Sequence, residues 1–88
     1  MYILLMRNHL LYTGFTSDLR RRISEHQQGS VKSTGRYLPV KLIHYESYIL
    51  ESDARRREKY LKTTEGKRFL HKQIKNILKQ INYFGDVA

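Results

Sequence analysis

The chain contains no cysteine and no tryptophan, a single proline in 88 residues, and only eight acidic side chains. Without cysteine there is no disulfide framework and no thiolate zinc site. The fold must therefore hold by packing alone, which suits a reducing compartment, and a cytoplasmic setting is expected. No run approaches the ~20 apolar residues that a membrane-spanning helix requires, so no partner inside a membrane is expected. The opening stretch MYILLMRNHLL is interrupted by Arg7 and has neither a basic leader nor a small-residue cleavage site. It reads as a strand, not a signal peptide. The length suits one domain with a modest core. Apolar residues at 40% and charged residues at 28% describe a folded protein, not a disordered tail.

What is plentiful is positive charge. Seventeen Lys and Arg against eight Asp and Glu give a formal net charge of +9. Such a field draws polyanions and speeds their encounter. Nucleic acid is the leading partner and an anionic membrane surface the second; the plain alternative is a soluble basic protein. Charge alone does not separate these.

Two short apolar runs, 2–6 and 10–15, flank the polar Arg7-Asn8-His9 and predict a β-hairpin. Thr16-Ser17-Asp18 supplies oxygens that can cap a helix, expected over 18–28 and stopped by Gly29. A loop at 29–39 follows, then a strand at 40–48 whose two faces both carry apolar groups, which makes it the candidate central strand. A second helix is expected over 50–62, broken by Gly66, and a third over 67–81 with the stripe Leu70, Ile74, Ile77, Leu78 and Ile81 at helical spacing. The order is ββαβαα, an α/β (α+β) class with a small three-stranded sheet flanked by helices. One domain is expected over 1–82, with a loosely docked tail at 83–88.

At 3.6 residues per turn, Leu19 and Ile23 define the buried stripe of the first helix. Arg22 and His26 fall on one edge of it, whereas Arg20, Arg21 and Glu25 point outward. A cation beside the sheet costs free energy unless it meets an anion. On the second helix Leu50, Ala54 and Leu61 form the apolar line, and Glu58 lies at its edge. Glu58 either pairs with Arg22 or holds a metal ion; a hard cation such as Mg²⁺ can bind one carboxylate and a substrate phosphate while keeping its waters. Tyr2 and Tyr12 fall on the two hairpin strands, near-opposite if Arg7-Asn8-His9 forms the turn. Cross-strand tyrosines are commonly packing. Beside an arginine and a carboxylate they are also what phosphodiester cleavage needs.

The stretches MYIL, LYTGFTSDLRRRISEH and ARRREKYLK resemble the GIY-YIG endonuclease superfamily, and more closely its small single-domain bacterial group, over nearly the whole chain. Met1 stands where the family has the isoleucine of its first triplet. The resemblance implies an endonuclease hydrolysing phosphodiester bonds. Tyr2, Tyr12, Arg22, His26 and Glu58 would be its catalytic set, Gly14 the glycine of the second triplet, and Glu58 the ligand of one divalent metal, Mg or Mn. The substrate would be nucleic acid, DNA ahead of RNA, met by a monomer. Arg20, Arg21, Lys32, Arg36, Arg55, Arg56 and Lys62 would grip the phosphate backbone. The competing reading is a non-catalytic nucleic-acid-binding module that retains the fold.

Overall fold

Alternation along the first strand sets the architecture. In the computed structural model, which describes residues 1–83, β1 (Tyr2–Leu5) turns Tyr2 and Leu4 to one side and Ile3 to the other, and all three are buried. Both faces of β1 are thus apolar, and it occupies the centre of a three-stranded antiparallel sheet. It lies between β2 (Leu11–Gly14) and β3 (Lys41–Tyr45) in the order β2-β1-β3. The central place expected for residues 40–48 belongs to β1. The third strand is shorter and sits at an edge, with Lys41 and Tyr45 exposed.

Each face carries its own core. Tyr2, Leu4 and Val40 pack with Tyr12 and with Leu19 and Ile23 of α1 (Leu19–Gln27). On the other face Met1 and Ile3 pack with Leu61 of α2 (Glu51–Leu61), Leu70 of α3 (Thr64–Gln73), Ile74, and Leu78 of α4 (Lys75–Gln80). The expected stripe is therefore core, but the helix carrying it begins earlier and breaks at Ile74. Gly66 does not end a helix. It lies in the first turn of α3, where its N–H donates to Thr63 Oγ1 at 3.0 Å, an N-cap bond. A Cβ there would run into the Tyr60 carbonyl. Leu50, expected on the apolar line of α2, is the residue preceding that helix and is 59% exposed. Beyond Tyr83, the expected tail lies outside the described residues. Among those residues no helix is long and apolar enough to cross a membrane.

One polar knot ties β3 to the helices. Glu46 accepts hydrogen bonds from the Tyr48 hydroxyl at 2.6 Å and Arg57 Nε at 3.0 Å, and its other oxygen lies 2.9 Å from His44 Nε2. Arg57 also donates to Gln73 Oε1 of α3 at 2.7 Å. Burial pushes the Glu46 carboxyl up, but the bonds from Tyr48, His44 and Arg57 and the Arg57 charge outweigh it and hold it at about 2. A depressed carboxylate contributes stability that is present above its unfolded value and is lost as pH falls through the folded one. Unfolding free energy should therefore fall by roughly 3 kcal/mol between pH 6 and pH 2 on account of this group. Denaturant titrations across that range check it, and Glu46→Gln should flatten the dependence.

Candidate active site

The first helix is placed by its two ends. Asp18 accepts the Arg21 backbone N–H at 3.2 Å, an N-cap that also sets a carboxylate against the dipole. At the other end Gly29 adopts φ 79°, the left-handed conformation that glycine takes without penalty, and Ser30 N–H reaches back to the Glu25 carbonyl at 3.0 Å. Between these ends His26 is driven wholly inside, 0% exposed.

There it meets both strands of the hairpin. Its Nε2 lies 2.8 Å from the Tyr2 hydroxyl and its Nδ1 2.7 Å from Thr34 Oγ1. The Tyr2 and Tyr12 rings stand 5.6 and 5.2 Å from the imidazole, both edge-on, and 6.2 Å from each other. The turn forms at Arg7-Asn8-His9 as expected, closed by Met6 N–H to the Leu10 carbonyl at 2.9 Å, and it sets the tyrosines near-opposite, two residues out of direct register. Tyr2 pairs with Gly14 and Tyr12 with Leu4, so they are diagonal neighbours on one face. Gly14 makes that placement possible: a Cβ there would come within 2.5 Å of the Tyr2 ring carbon and hydroxyl.

Burial dominates the electrostatics of this cluster. It pushes the Tyr2 phenol above its ordinary value, against the pull of the Arg22 guanidinium, which favours the phenolate. His26 is pushed down by burial and by the Arg22 charge, and so is neutral near pH 7. Arg22 is raised, first by its interaction with Tyr2 and then by Glu25. Its ion-pair partner is Glu25, at 3.1 Å. The alternative pairing of Arg22 with Glu58 is not found, and Glu25 is less exposed than the wheel implied, at 34%.

Glu58 stands apart from the cluster. Its side chain is 21% exposed and accepts from Lys62 Nζ at 2.9 Å. It bears on the site through Met1, whose ammonium feels its charge one residue before Tyr2. Among the described residues no group of three or more His, Cys, Asp or Glu is placed to hold a metal ion. A single carboxylate fits a hard cation that completes its shell with water and substrate phosphate, as Mg²⁺ does; Lys62 would compete for it.

The expected phosphate-gripping residues are all exposed, but several are already paired. Arg55 binds Glu51 at 2.7 Å, Arg56 binds Asp53 at 3.0 Å, and Arg21 has Asp18 and Glu25 within 3.9 Å. Arg20, Lys32 and Arg36 have no side-chain partner among the described residues. Arg55 also lies over the Phe15 ring, 4.4 Å from its centroid. Nearby, a cavity of about 380 Å³ opens beside Tyr2, walled by Phe15, Leu19, Tyr45, Tyr48 and the fully exposed Ile49. Thr34 was not singled out from the sequence. Its setting between two glycines and beside Ser33 reads as solvated loop, yet it is as buried as His26.

Comparison of the chain with known proteins gives its family. The family model described as the GIY-YIG catalytic domain matches residues 1–82. The chain belongs to the GIY-YIG superfamily. It is similar to proteins named UPF0213: one of Streptococcus agalactiae is 39% identical over 79 residues, covering 86% of this chain and 90% of the relative. One of Clostridium perfringens is 35% identical over 83 residues, 93% and 89% of the two chains. An archaeal one, from Halobacterium salinarum, is 40% identical over 62 residues, 69% and 80%. No solved structure matches the chain at a significant level.

Proposed function

We propose that this protein is a metal-dependent endonuclease that hydrolyses phosphodiester bonds in nucleic acid, DNA ahead of RNA. The observation that carries the reading is the convergence of half-buried Tyr12 and Arg22 on the buried Tyr2–His26 pair beside an open cavity, in a chain that belongs to a nuclease-domain superfamily. In hydrolysis a water oxygen adds to phosphorus, the P–O bond to the leaving oxygen breaks, and the water proton needs an acceptor. A phenolate oxygen of the Tyr2–Tyr12 pair, its own proton first released to solvent, is that acceptor, and the leaving oxygen takes a proton from solvent. Arg22, freed from Glu25 by the incoming phosphate, neutralises the charge that develops on the equatorial oxygens. Glu58 would hold the divalent cation, Mg or Mn, which when bound would supply charge stabilisation at the phosphate.

The test is a cleavage screen on labelled duplex, branched and single-stranded oligonucleotides with Mg²⁺ or Mn²⁺. The Glu58–Lys62 pair is the feature that favours the competing reading, binding without cleavage, because a carboxylate held by lysine is less available to a cation. Both readings require phosphate contacts. Each contact contributes about −0.9 to the slope of log K against log salt for duplex DNA. With Arg20, Lys32 and Arg36 unpaired, a slope of about −3 or steeper is expected in binding titrations between low and physiological salt. A slope near zero would remove nucleic acid as the partner.

A further inference from the structure

Thr34 and His26 are the two wholly buried polar side chains among the described residues, and they are bonded to each other. Hydrogens must be assigned from the network, and here the network is closed enough to assign them. The Thr34 hydroxyl has one proton and sits at 0% exposure, and His26 Nδ1 is its hydrogen-bond partner among the described residues. Had Nδ1 carried the ring proton, it would donate to Thr34 and leave the Thr34 proton buried without an acceptor. That is the costly arrangement. Tyr2 is not under the same constraint. Tyr2 lines the open cavity and its ring lies beside that of Tyr12, the centroids 6.2 Å apart, so its proton has somewhere else to go.

We propose that Thr34 fixes His26 as a hydrogen-bond donor to Tyr2: the Thr34 hydroxyl donates to Nδ1, the single ring proton therefore sits on Nε2, and Nε2–H points at the Tyr2 oxygen. The neutral ring, pushed down by burial and by Arg22, has no second proton to offer. For the reaction this resting on the nuclease reading has a definite consequence. His26 is not the base that removes the Tyr2 proton. It places a donor on the Tyr2 oxygen, and the Arg22 charge acts in the same direction; both favour the phenolate. Thr34 touches neither substrate nor reacting atoms. It is a positioning residue, acting through His26 from the loop between α1 and β3.

The ring nitrogens report the tautomer directly. Long-range ¹⁵N–¹H correlation spectra of the wild-type protein at neutral pH should show His26 with a protonated Nε2 and a bare Nδ1. Finding the proton on Nδ1 would overturn the proposal, whether or not the protein cleaves anything. Thr34→Val keeps the shape and removes the donor, leaving Nδ1 with no partner in either tautomer, so the His26 ring should lose its single form and show exchange between the two, and Thr34→Ser should restore the wild-type pattern. If Thr34→Val leaves the tautomer unchanged, Thr34 does not set it and the proposal fails. Should Thr34→Val not fold, the wild-type and Thr34→Ser spectra still decide. In cleavage, Thr34→Val should lose about tenfold in single-turnover rate, the scale of one hydrogen bond, with Thr34→Ser close to wild type. If wild type shows the Nε2–H form and no cleavage with any substrate, the nuclease reading fails while the hydrogen-bond assignment stands.

Discussion

Glu58→Gln is expected to abolish cleavage while leaving the fold and the binding of nucleic acid in place. The substitution keeps the shape and removes the charge. If the carboxylate holds the cation, the cation goes with it, and its several kcal/mol of charge stabilisation are lost from the chemical step. Binding should survive or tighten, because a charge that repels phosphate has been removed. The structure makes the stability half of this expectation firm. A buried bridge from Glu58 to Arg22 or Arg57 would have made its loss costly, on the order of 3–5 kcal/mol. Arg22 instead pairs with Glu25, and Arg57 with Glu46. Glu58 is left with Lys62, whose side chain is 56% exposed, in an i,i+4 pair of the kind that contributes only ~0.3–0.5 kcal/mol. In a domain of this size that is a Tm change of no more than about 4 °C. Melting curves and cleavage assays on the same variant separate the readings. A wild type that cuts no substrate with Mg²⁺ or Mn²⁺, together with tight salt-dependent binding, would make this a binding module.

The parts of the site that the sequence disclosed are those whose partners lie a helical turn or a strand alternation away. Arg22 and His26 share a helix edge because they are four residues apart, and the structure keeps them on the sheet side. Tyr2 and Tyr12 share a face because strand alternation puts them there, and the turn at Arg7-Asn8-His9 sets them two residues out of direct register. Other features depend on contacts between distant segments. Both residues 2–5 and 40–48 look apolar on two faces; only the helices that later cover β1 decide which is central. Thr34 sits in a Gly- and Ser-containing loop, where composition speaks for solvent. Its burial follows from the left-handed turn at Gly29, which sends the chain back across α1. Glu46 has a partner eleven residues away in Arg57, and that spacing has no helical or strand period. Leu50 was misplaced because it precedes the helix, where 3.6-residue spacing does not yet apply.

Arg22→Ala should cut single-turnover cleavage by about 10²–10³-fold, the usual consequence of removing one transition-state donor, whereas Arg21→Ala should leave the chemical step intact and weaken binding modestly. The two residues are adjacent and carry the same charge, so their difference tests geometry alone. Arg21 is 63% exposed, with its carboxylate neighbours at 3.8 and 3.9 Å, and it contributes to a diffuse field that salt screens. Arg22 is 35% exposed, holds Glu25 at 3.1 Å, and its charge acts on the Tyr2 phenol. Losing the Arg22–Glu25 pair costs at most ~1 kcal/mol, as partly exposed pairs do, so a rate loss of this size cannot be laid to unfolding. Arg22→Lys should recover binding but little of the rate, because an ammonium keeps the charge without the planar fork that spans two phosphate oxygens. Equal rate losses for Arg21→Ala and Arg22→Ala at saturating substrate would mean that α1 supplies only charge. The phosphate would then have to be stabilised from somewhere other than the cluster around Tyr2.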